Sequence, residues 1–172
     1  MIRFSLALLA VLAVSLSAAE AKVVRLGVPP VAEVTLPDAW GPEETDNGVE
    51  ANSPDGKIYM SFEVHPLGNE GDAMGRAMRA AVEWVRGRGA QLDRFTPPAE
   101  GRFNQWTALR ATASGRDNDG KPTEVEVIGI PLNATTALIV LGWYETGAEQ
   151  ANAPTLAAII ESVRPVGGIV RL

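Results

Sequence analysis

The chain has 172 residues, 46% of them hydrophobic and 21% charged, which is enough for one domain with a sizeable core and excludes a disordered chain. Its 15 basic residues against 21 acidic ones give a net charge of −6, which argues against tight binding to nucleic acid or to an anionic membrane. There is no cysteine, so disulfides, thiolate metal sites and a cysteine-linked lipid anchor are excluded.

Residues 1–21 read as a secretory signal peptide. Arg3 supplies a positive start, residues 4–16 form an apolar run too short to span a bilayer, and Ala19-Glu20-Ala21 offers a small-residue cleavage site. The exported chain is expected to begin near Lys22, unlipidated. Its net charge is unchanged because Arg3 and Glu20 leave together. A bacterial periplasm is the expected location.

Residues 22–30 read as a lead-in, because Pro29-Pro30 cannot enter the interior of a sheet. Ala32, Val34 and Leu36 alternate with Glu33 and Thr35, which predicts a short strand ending at the Pro37-Asp38 turn before Trp40. Residues 41–53 are acidic and carry Asn47-Gly48, a strong hairpin signal, and Pro54-Asp55-Gly56 makes a second turn. Ile58, Met60, Phe62 and Val64 then alternate with Lys57, Tyr59, Ser61 and Glu63. Residues 31–64 therefore predict a meander of three or four antiparallel strands.

Met74, Ala77, Met78, Ala81, Val82 and Val85 form one apolar stripe at helical spacing, opposite Arg76, Arg79, Glu83 and Arg86. A helix over residues 72–86 follows, with Asn69 as its cap and Gly87 and Gly89 at its end. Residues 91–95 suggest a strand before Pro97-Pro98, and residues 106–114 alternate again. Asp117-Asn118-Asp119-Gly120 turns the chain into the most apolar stretch. There, residues 123–130 and 137–144 flank the loop at residues 133–136, and the second run carries no charge. A strand with no polar face is expected to be buried on both sides, so this hairpin is expected at the middle of a sheet. Thr146 with Glu149 suggests a capping box, and Pro154 interrupts any helix there. Leu156, Ile159, Ile160 and Val163 mark a second helix over residues 155–163, stopped by Pro165, with residues 166–172 as a tail.

Three local signposts stand out in this order of elements: Val34-Thr35-Leu36-Pro37-Asp38-Ala39-Trp40, Ala51-Asn52-Ser53-Pro54-Asp55-Gly56, and Ile160-Glu161-Ser162-Val163-Arg164-Pro165. Together they resemble the PsbP-like superfamily, which includes the photosystem extrinsic protein, the Mog-type Ran-binding proteins and DcrB-like secreted bacterial proteins. The resemblance covers residues 31–165. It implies an α+β fold, an α/β/α sandwich whose central antiparallel sheet is flanked by two main helices. It also implies a protein that binds other proteins, with no shared catalytic residues to carry over.

The residues themselves offer little chemistry. His65 is the only histidine, so a zinc site would need carboxylates almost alone. The Asp117–Gly120 turn lacks calcium-loop spacing, because its glycine follows the second aspartate directly and no closing glutamate comes after. No nucleophile elbow or phosphate-binding glycine loop occurs, and His65 reads as a strand-end residue. Asn133-Ala134-Thr135 is a sequon that reads as loop. No cofactor or metal is expected. Among the tryptophans, Trp143 reads as core. Trp40 sits in a turn, Trp84 falls off its helix's apolar stripe, and Trp106 has polar neighbours.

Eight acids but one base, Lys57, lie in residues 31–64. A solvated hairpin is the ordinary meaning of such a run. The functional alternative is a binding surface at Trp40, Glu43, Glu44, Asp46 and Glu50, with Trp40 as apolar anchor and a basic protein as partner. The leading expectation is thus a secreted, non-enzymatic binding or protein-interaction module. A carrier of a small apolar ligand is the alternative, with a cleft between sheet and first helix walled by Met60, Met74 and Met78. A hydrolase using a carboxylate pair is a remote third.

Overall fold

A computed structural model describes residues 20–68 and 72–166. Nearly all of the expected signal peptide, the Asn69 cap and nearly all of the C-terminal tail lie outside the described residues.

The chain runs through β1 (Ala21–Leu26), β2 (Ala32–Pro37), a single 3-10 turn (Asp38–Trp40), β3 (Glu43–Glu44), β4 (Gly48–Asn52) and β5 (Ile58–Pro66). It continues with α1 (Ala73–Gly87), β6 (Gln91–Leu92), β7 (Ala99–Phe103), β8 (Trp106–Arg116), β9 (Pro122–Asn133) and β10 (Thr136–Glu145). It closes with α2 (Ala148–Ala151), α3 (Ala153–Ser162) and β11 (Arg164–Pro165). An eight-stranded antiparallel sheet has the order β3-β4-β5-β10-β9-β8-β6, with β7 also on β8, and a three-stranded sheet has the order β1-β2-β11.

The expected hairpin stands at the middle. β10 pairs with β9 on one side and β5 on the other, bringing Val140 opposite Ile128 and Phe62. Ala137 to Leu141 are all buried, as a charge-free strand covered on both faces must be. Asn133 Oδ1 accepts the Thr135 N–H at 2.9 Å and closes the turn between them.

Each face of the large sheet has its own core. On one face, Met78 and Val85 of α1 pack with Val125, Val127, Ile139 and Leu141, and the whole predicted stripe of the helix takes part. Gly129 allows that approach: a Cβ there would meet Met74 Sδ at 2.6 Å. On the other face, Ile58, Met60, Phe62, Ile130, Leu138 and Val140 pack with Leu26, Val34 and Leu36 of the small sheet and with Leu156 and Ile159 of α3. Ser162 Oγ fastens α3 to β2 by accepting the Thr35 N–H at 2.8 Å.

Four expectations need correction. The lead-in is strand β1, paired with β2 from Ala21–Pro37 to Leu26–Ala32. Its prolines occupy the turn beyond it, so they never meet the ladder, and Val24 and Leu26 point inward. The meander is divided: β2 belongs to the small sheet, and only β3, β4 and β5 join the large one. The Thr146–Glu149 capping box does not form. Gly147, with φ +87, caps the short α2, and the Thr146 N–H donates to the Pro122 carbonyl at 3.0 Å. Pro154 sits in the first turn of α3, where its missing N–H costs nothing, so it starts that helix rather than breaking one.

Candidate binding face

Directly opposed residues of an antiparallel ladder share a face, so the register reads out the α1 side of the sheet in rows. One row runs Glu43, Glu50, Ser61, Leu141, Val127, Ala111. A second runs Gly48, Glu63, Ile139, Gly129, Leu109, and a third Asn52, Tyr59, Trp143, Val125, Ala113. Each row changes character at the same place. It is polar or acidic on β3, β4 and β5, and mostly apolar from β10 onward. α1 lies over β9 and β10, borders β5, and makes no substantial contact with β3 or β4. Among the described residues, part of the sheet's face is therefore open, and it carries Glu43, Glu50, Glu63 and His65.

Aromatic rings wall this open face on the helix side. Tyr59 stacks on Trp84 with ring centroids 5.0 Å apart and planes 22° from parallel. The Arg88 guanidinium lies 4.1 Å over the same indole, one helical turn on. The Tyr59 hydroxyl donates to Glu50 Oε2 at 2.8 Å, tying the acidic strand to the aromatic pair. Burial pushes the Tyr59 hydroxyl's pKa up, and the Glu50 acceptor and its charge push it further, so Tyr59 stays a donor. His65 Nε2 is 3.3 Å from Glu63 Oε2, and these two residues, with Ser61, Ala80, Ala81 and Trp84, line a groove of about 190 Å³ between β5 and α1.

The five residues singled out in the sequence fall into different places. Glu43 and Glu50 are neighbours across β3 and β4 on the open face. Glu44 points to the other side, where Lys22 Nζ donates to it at 2.8 Å and holds its carboxyl below the usual carboxylate range. Asp46 is exposed in the β3–β4 turn. Trp40 is the correction: it is 4% exposed, in the core opposite α1, because the 3-10 turn ending at Gly41 (φ +57) folds its ring inward. It cannot anchor a partner. The half-buried Trp84 holds the position on the open face that Trp40 was expected to hold. Its signal in the sequence was its place off the apolar stripe, with Tyr59 on the polar face of its strand.

Among the described residues, the three methionines do not wall one cleft. Met60 faces the opposite core, while Met74 and Met78 fill the contact beneath α1. Among the described residues, no group of three His, Asp or Glu side chains converges to hold a metal. No described helix is long and apolar enough to cross a membrane. A separate cleft of about 350 Å³ lies beneath α3, lined by Arg110, Glu124, Glu126, Tyr144 and Glu149. Arg110 pairs with Glu126 there, yet burial outweighs that pairing and raises the Glu126 carboxyl. The Tyr144 hydroxyl is raised by burial first and by the Glu126 charge second.

No protein-family model matches the sequence, and no curated protein does. Solved structures do. A point mutant of the protein Mog1 aligns with a TM-score of 0.52 at 12% identity, covering 84% of this chain and 95% of that one. The cyanobacterial PsbP (CyanoP) of Synechocystis sp. PCC 6803 aligns with a TM-score of 0.51 at 12% identity, covering 88% and 96%. A Bacteroides thetaiotaomicron structure aligns at 0.50 and 12% identity, covering 79% of this chain and 45% of that one. At such identities the likeness speaks for architecture, and the antiparallel sheet, the α1 layer and the opposite α3 layer agree with it: this chain has the PsbP/Mog-like α+β fold.

Proposed function

We propose that this chain is a non-enzymatic binding module of the bacterial periplasm, and that it meets a partner protein bearing basic side chains. The contact lies on the open face of β3, β4 and β5. Glu43 and Glu50 stand at its centre, Asp46 adds charge at its rim, and Tyr59 and Trp84 form its aromatic border. One observation carries this reading: two of the three sheet rows carry glutamates where α1 does not cover them. Acidic groups held side by side repel one another, and a basic partner relieves that repulsion and is steered to it. A half-buried tryptophan beside the charges supplies apolar area at low entropic cost. The Mog1 and PsbP likeness supports a binding module rather than an enzyme only at the level of the fold.

The test is capture of partners from periplasmic extract at low salt by the wild type and by Glu43→Lys with Glu50→Lys. The expected result is loss of those wild-type partners that salt also releases. Retention of every wild-type partner by the double variant contradicts the proposal. The placement rests on the export signal, and mass spectrometry of the exported protein is expected to find a first residue near Lys22 and no lipid.

A further inference from the structure

Where α1 ends, the sheet and two turns enclose a second cleft, of about 270 Å³. Its floor is Tyr59 and Trp143, opposed residues of β5 and β10. Trp84 and Arg88 form one wall, and the β8–β9 turn forms another, lined by Asp117, Asn118 and Asp119. That turn abuts the helix end at Gly89 (φ +90), where a Cβ would lie 3.1 Å from the Asn118 Cβ.

The walls are held in place by the protein's own bonds. Trp143 Nε1 donates to Thr123 Oγ1 at 2.7 Å, and that hydroxyl donates to the Tyr144 carbonyl at 2.6 Å. Tyr59 is fixed through Glu50. Asp117 is already occupied, since its Oδ1 accepts the Asp119 and Lys121 N–H groups at 2.9 and 2.8 Å. Lys121 lies 3.4 Å from Glu145. Lys57 and Arg88 are different: among the described residues neither has an ion pair, and both line the cleft. Arg88 lies over the Trp84 ring, which leaves the in-plane N–H groups of its guanidinium available, and with Lys57 it offers cationic donors for an anionic group in the ligand.

We propose that this cleft binds a carboxylated monosaccharide, a function beyond the protein contact on β3–β5, whose aromatic border of Tyr59 and Trp84 it adjoins. The sugar carboxylate pairs with Lys57 and Arg88. Its hydroxyls meet the amides of Asn52 and Asn118 and the carboxylate of Asp119, which together offer donors and acceptors. Its apolar ring face turns toward Trp143. A flat aromatic acid fits less well, because Trp84 is already engaged by Tyr59 and Arg88 and presents no slot between rings. The size is that of one ring-sized unit with its substituents, at the small end of ligand pockets.

Titration of the full chain with D-glucuronate, D-glucose and benzoate tests this, read by tryptophan fluorescence and calorimetry. Saturable glucuronate binding is expected, with glucose bound at least about tenfold more weakly because it lacks the charge. Lys57→Ala with Arg88→Ala is expected to weaken glucuronate by a similar factor. Glu43→Lys, at a residue that neither lines the cleft nor bonds to its lining, is expected to leave it within about twofold, which separates this site from the partner surface. The proposal is overturned by no saturable glucuronate binding at millimolar concentration, by equal affinity for glucose, or by tighter binding of benzoate. An unchanged double alanine variant overturns it as well. The wild-type sugar comparison stands even if that variant fails to fold.

Discussion

The α1 side of the large sheet has two halves with one backbone and opposite surfaces. Leu141, Val127 and Ile139 lie beneath α1 and are buried, while Glu43, Glu50 and Glu63 sit on the same face beyond it. α1 runs for only Ala73–Gly87 and borders β5 without crossing onto β4. A helix covers a limited width of sheet, and what it leaves open must be polar or must bind something. Here β4 and β5 have an apolar opposite face, with Val49, Ala51, Ile58, Met60 and Phe62 in the other core. Their openness on the α1 side therefore costs the fold little and leaves that surface free for recognition.

The largest expected effect breaks this division from the covered side. Leu141→Asp places a charge under α1 in the row that ends in Glu50 and Glu43, and is expected to cost about 4 kcal/mol, with loss of most thermal stability. On the open side of the same row, Glu50→Leu removes only the acceptor for the Tyr59 hydroxyl. It is expected to change stability by about 1 kcal/mol or less in urea denaturation. Similar costs for the two would mean that the halves are not differently buried.

The smallest effect concerns an acid that is buried, on the α3 side. Glu126 has its carboxyl raised by burial, with Arg110 pulling the other way. A carboxyl raised in the folded state favours folding while protonated. That contribution is fully present below its ordinary value of 4.5 and is lost as pH rises through the folded value. Glu126→Gln is therefore expected to be more stable than the wild type at neutral pH, and the two should converge below the ordinary carboxylate range. Arg110 is 62% exposed, so losing its partner leaves a hydrated charge. A neutral-pH stability loss in Glu126→Gln would show that the ion pair outweighs the burial.

Sequence pattern reached the elements that carry their own periodicity. The uncharged run from Ala137 to Leu141 predicted a strand covered on both faces, and the stripe from Met74 to Val85 predicted α1 within a residue at each end. It failed where a neighbour in space decides. Pro29-Pro30 hid β1, although Val24 and Leu26 already alternated. The place of Trp40 in a turn suggested an anchor, but the residue lies in the core shared with the docked small sheet. The rows of the open face depend on register across β3, β4, β5 and β10, and no single strand states that register. Trp84 was visible as an off-stripe residue, while its stack on Tyr59 needed the helix to be placed on the sheet.

The open acidic face is tested most directly by mapping amide and indole shifts in NMR while a lysine-rich peptide is titrated at low salt. The expected result is a set of shifts confined to β3, β4, β5 and the Trp84 indole, lost together as salt is raised and absent in Glu43→Lys with Glu50→Lys. Shifts centred elsewhere, or shifts that survive both the salt and the double variant, would contradict the account.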